Sequence, residues 1–141
     1  MRFLLVLFAA ATLTGCQSAD SASSSEPSEA FDGIQEGEAV QFAGTEPFWG
    51  GEVANGVVRY TTPENPDGTQ FAADRFAGLN GVSFSGKLDE ASFDLMVTPG
   101  TCSDGMSDRS YPFTATLRVG TETREGCAWT ASRPFDGGEQ P

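Results

Sequence analysis

The chain has 141 residues, of which 20 are acidic, 8 are basic and none is histidine, for a formal charge of −12. That length holds one domain at most. The charge turns away nucleic acid and anionic headgroups, both drawn to basic patches. The missing imidazole removes the usual general base, the Ser-His-Asp triad and His-built metal centres.

In chain order, residues 1–15 come first: Arg2, an apolar run from Phe3 to Leu13, then small residues. This is the layout of a secretory signal, and the run is about half the ~20 apolar residues that a spanning helix needs. Leu13-Thr14-Gly15-Cys16 resembles the lipobox of bacterial lipoproteins. The resemblance implies cleavage before Cys16 and acylation of Cys16 with chains such as palmitate. Several acyl chains hold a membrane stably where one holds it marginally. The alternative is an ordinary signal with a cysteine at its junction. Gln17 after the cysteine implies, by the family's sorting rule, a bacterial outer-membrane address facing the periplasm.

Residues 16–39 form the lipidated cysteine and an acidic tether. The Ser/Ala-rich stretch 17–30 has no hydrophobic period and cannot bury enough apolar surface to offset its ordering entropy. Without Arg2 the mature chain keeps 7 basic against 20 acidic residues, a charge of −13 (7 − 20). Such an arm repels itself and an anionic surface, and so tends to extend. Cations and cationic proteins are its favoured partners, although acidity also serves plain solubility.

Residues 40–133 read as an all-β domain: a small antiparallel barrel or sandwich of six to eight strands, stapled by a disulfide. Asn55-Gly56 between FWGGEV and VVRYTT is a strong hairpin signal. PENPDG at 63–68 is a turn cluster. FAADRFAGL at 71–79 is the one stretch compatible with a helical turn. Beyond it, Val82, Phe84 and Gly86 share a face, as do Phe93, Leu95 and Val97, and Phe113, Ala115, Leu117 and Val119. This is the period-two pattern of half-buried strands. Residues 134–141 read as a flexible C-terminal tail. With Cys16 acylated, Cys102 and Cys127 remain as an even pair in an oxidising compartment and are expected to bond. Free catalytic thiols are the alternative, but they lack a histidine partner.

GTEPFW (44–49), CSDGMSDRSYP (102–112) and GCAW (126–129) together resemble a family of uncharacterised proteobacterial envelope lipoproteins, over roughly residues 41–130. The resemblance implies an envelope address and no established activity. META-like domains and the β-barrel lipoproteins that inhibit lysozyme are looser analogies of size, location and disulfide.

Two stretches are candidate sites. In CSDGMSDRSYPF, Asp104-Gly105 can make a tight reversal and Asp108 beside Arg109 a local ion pair, giving a disulfide-tied loop across one barrel end. Alternatively Asp104, Asp108, Arg109 and Tyr111 form the polar lip of a pocket, with Glu46 and Trp49 joining them if both stretches share a barrel end. Calcium would find a thin shell in two acids. Trp49 reads first as core and otherwise as a ligand platform. No cofactor, metal or catalytic residue is expected. The expectation is a monomeric, non-enzymatic binding or envelope-support module. The alternatives are an inhibitor of a cationic envelope protein such as lysozyme, or a carrier of a small apolar ligand.

Overall fold

The computed structural model describes residues 28–138; the signal segment, Cys16 and the first part of the tether lie outside them. Eight antiparallel strands run in sequence order and close into a barrel: β1 (Val40–Thr45), β2 (Phe48–Ala54), β3 (Val57–Thr62), β4 (Asn65–Ala77), β5 (Val82–Leu88), β6 (Ala91–Cys102), β7 (Tyr111–Val119) and β8 (Glu122–Thr130), with β8 pairing back onto β1. Closure leaves no open sheet edge. Asn55 and Gly56 both take positive φ (51° and 75°) in the two-residue β2–β3 turn, as the hairpin chemistry requires. Part of PENPDG is strand. Thr62 pairs with Asn65 around Pro63-Glu64, and a bulge follows between Tyr60 and Thr62.

The stretch 71–79 is not helical. Phe71, Ala73, Arg75 and Ala77 alternate with exposed Ala72, Asp74 and Phe76 along β4. Pairing on both sides, with β3 and β5, overrides the helix preference of its alanines.

The inward faces fill the barrel. Phe42, Val58, Phe93, Leu95, Val97, Phe113 and Leu117 are each at most 1% exposed, and Phe84 is 4%. Aromatic rings occupy space that glycines vacate. A methyl group on Gly44 would sit 2.1 Å from the Trp49 ring nitrogen, and one on Gly126 would sit 2.9 Å from the same indole. Trp49, 4% exposed, therefore plugs the interior between two glycines. Tyr60 and Phe71 both pack edge-on against Phe93.

The up-and-down order defines two rims. The proximal rim carries the arriving chain, the turns at 55–56 and 78–81, the β6–β7 connection at 103–110 and the departing C-terminus; the distal rim carries the turns at 46–47, 63–64, 89–90 and 120–121. The fold also begins earlier than the sequence suggests. Phe31 donates its amide to the Gly78 carbonyl at 2.7 Å, and Ile34 is 1% exposed within the core. Part of the stretch read as tether is thus packed, because Phe31 and Ile34 give it apolar surface to bury. It ends later as well. Asp136 exchanges two backbone hydrogen bonds with Ser110 (2.8 and 2.9 Å), and Phe135 packs on Tyr111 and Trp129, so the tail expected from 134 onward is docked at Phe135 and Asp136.

Candidate functional site

The loop 103–110 begins at the disulfide. Cys127 pairs with Thr114 and Ala43, on the outward pleat opposite buried Ala128. The Cys102–Cys127 bond (Cα–Cα 5.6 Å) therefore straps the loop to the outer wall. A register shift between Pro99 and Cys102 turns the end of β6 that way. The loop then reaches β1, where the Thr45 hydroxyl donates to the Asp104 carbonyl at 3.2 Å. It leaves from the proximal end, as the strand order requires, but folds back along the outer wall instead of crossing the barrel mouth as expected, because the staple joins it to an outward-facing position.

Asp104 organises the loop. One carboxylate oxygen accepts the Met106 and Ser107 amides (2.9 and 2.8 Å), and the other accepts the Ser107 and Tyr111 hydroxyls (2.7 and 3.2 Å). The Ser107 hydroxyl, then the Ser107 and Met106 amides, hold its pKa far below the usual carboxylate range. Tyr111 is buried, and desolvation raises its pKa, with the nearby Asp104 charge adding to the rise. The Arg109 guanidinium stacks 4.4 Å from the centre of the Phe135 ring, and its proximity to Tyr111 offsets part of the rise in that residue's pKa. The loop and the C-terminal segment thus make one locked unit. Asp108 is exposed.

The six candidate residues divide. Asp104, Asp108, Arg109 and Tyr111 belong to the wall loop. Glu46 is exposed in the β1–β2 turn at the distal rim, one residue from the Thr45 that holds Asp104. Trp49 faces the interior and joins no polar lip. Where loop and wall meet there is a recess of about 250 Å³, lined by Thr45, Ser103, Asp104, Thr114 and Glu125 beside the disulfide. Both Asp104 oxygens are already engaged by loop donors, so the carboxylate braces this recess. Among the described residues, no three of His, Cys, Asp and Glu come together as a metal-holding group.

Two arginines escaped the sequence reading. Arg75 lies opposite inward Phe84, and its guanidinium donates to the Ile34 carbonyl at 2.7 Å, closing the proximal end. Arg124 lies opposite inward Leu117 and donates to the Tyr60 hydroxyl (2.7 Å) and to Glu122 (2.9 Å) near the distal end. The Glu122 carboxylate raises the pKa of Arg124, and Arg124 lowers that of Glu122. Both arginines sit in phase with the apolar positions of their strands, a signal that was there to be read.

No protein-family model, no curated protein and no solved structure matches this chain.

Proposed function

We propose that the protein is a lipid-anchored module of the bacterial cell envelope, akin to the envelope lipoproteins it resembles, that binds or supports without catalysing. The observation that carries this reading is the Cys102–Cys127 bond, which pairs two of the chain's three cysteines with each other; the third, Cys16, stands in the lipobox setting of the sequence. Paired cysteines suit an exported protein.

The non-enzymatic part rests on the absence of histidine from the sequence and on Asp104, whose two carboxylate oxygens are both engaged by donors of its own loop and of Tyr111. The phenyl-filled interior disfavours a carrier of apolar ligands.

Cys16→Ser tests the anchor. The wild-type chain is expected in the membrane fraction and the variant in the soluble fraction; wild type in the soluble fraction would defeat the proposal.

The acids of the distal rim favour a second reading, an inhibitor of a cationic envelope protein such as lysozyme. Glu46, Glu64, Asp89, Glu90 and Glu122 occupy or border its four turns. Capture of lysozyme at low salt, weakening at moderate salt, is its expected behaviour. No capture at low salt would end it.

A further inference from the structure

The barrel wall carries an apolar patch at the proximal rim. Phe76 is 69% exposed, Leu79 64% and Met96 53%. Phe76 and Met96 are the two cross-strand neighbours of Ser83, so they flank a small residue on the outer wall. Leu79 lies in the adjoining turn. Phe76 and Met96 line a groove of about 300 Å³ together with Gly78, Gly81 and Val82. Large side chains this exposed and this close together mark a contact surface.

We propose that this patch rests on a bilayer surface of zwitterionic lipid. The inference builds on the lipid-anchor reading above and adds the face that the domain turns to the membrane.

The chain's route supplies the occupant. The Phe31 amide bonds the Gly78 carbonyl, so the segment leading back to Cys16 departs one residue from Leu79. Fourteen residues, 17–30, separate Cys16 from Phe31, a span of about 50 Å at full extension. A short link gives the patch a high effective concentration at the surface, so a contact too weak for a free protein suffices for a tethered one. Asp32, Asp74 and Asp94 border the patch region, which disfavours anionic lipid and selects neutral headgroups.

The test uses the chemistry of Cys16. The mature chain from Cys16 onward is coupled through that thiol to a maleimide-headgroup lipid in phosphatidylcholine vesicles, and hydroxyl-radical oxidation is mapped by mass spectrometry. The reference is the same chain capped with N-ethylmaleimide in solution. Phe76, Leu79 and Met96 should oxidise about threefold more slowly on vesicles, since interfacial side chains sit ~5–10 Å into the headgroup boundary. Phe48, 52% exposed at the distal rim, should keep its rate. In Phe76→Ser/Leu79→Ser, whose changes are on the surface, Met96 should regain its solution rate on vesicles. Unchanged rates at the three residues, or equal protection of Phe48, would overturn the proposal. So would protection in the capped chain together with a dimeric mass, which would assign the patch to a second copy. Because the coupling is chemical, an unacylated Cys16 in cells would defeat the anchor and leave this footprint as it is. A flat footprint would defeat the patch and leave the anchor standing.

Discussion

Asp104 holds four donors within three residues of backbone and one neighbouring strand. Asp104→Asn keeps the size and loses the charge and one acceptor, leaving the Ser107 and Tyr111 hydroxyls without their oxygen. Urea unfolding should show a loss of about 1–3 kcal/mol, the usual worth of hydrogen bonds to a charged group. The pH dependence has a definite sign. The folded carboxyl binds its proton less readily than the unfolded one, whose value is near 3.8. The contribution is therefore complete above that pH and drains away as pH falls through the folded value. Asp104→Asn should flatten this acid limb; an unchanged limb would assign acid sensitivity to other groups. Gly44 poses a steric question instead. Its added methyl meets the Trp49 ring at 2.1 Å and the Glu125 carbonyl at 2.9 Å. Gly44→Ala should cost about 1–3 kcal/mol by overpacking and shift Trp emission to the red. A stable variant with unaltered emission would mean that the indole has room to move.

The strap made by the disulfide, the wall loop and the C-terminal segment lies outside the ladder of strand pairings that closes the barrel. Reducing the bond, or Cys102→Ser/Cys127→Ser, should lower stability by about 3 kcal/mol for a loop of this length, with the eight-stranded far-ultraviolet signature retained. Loss of all β signal would show that the staple is needed for the barrel itself. Phe135→Ala should expose Trp129 and Tyr111 and release the segment, read as faster amide exchange at Ser110 and Asp136. Exchange no faster than in wild type would assign the docking to the Ser110–Asp136 pairing alone.

The barrel was legible in the sequence because Phe93-Leu95-Val97 and Phe113-Ala115-Leu117 each present one face at period two, and all six side chains point inward. The course of β4 was not, since beyond Phe71 its inner positions, Ala73, Arg75 and Ala77, are small or charged, and alanine and arginine also suit helices. The packed end of the presumed tether was hidden because two apolar residues, Phe31 and Ile34, are too few to make a period. At the candidate site, the Asp104 turn was legible from Asp-Gly chemistry. The placement of the loop on the wall was not, because it follows from a bulge near Pro99 and a bond to a residue 25 positions away.

For the whole molecule, the rims give the barrel a direction. The chain arrives at the proximal rim, beside the apolar patch, and the distal turns hold Glu46, Glu64, Asp89, Glu90 and Glu122. An anchored domain would then turn its acids away from the bilayer, toward any cationic partner in the periplasm. Both the direction and its use depend on export and acylation. Intact-mass spectrometry of the protein extracted from membranes, with and without alkylation, measures this directly. The expected product begins at Cys16, carries the added mass of its acyl chains, and takes up no alkylating reagent until reduced. A chain that retains residues 1–15, an unmodified Cys16, or reagent on Cys102 and Cys127 before reduction would contradict the lipid-anchored reading.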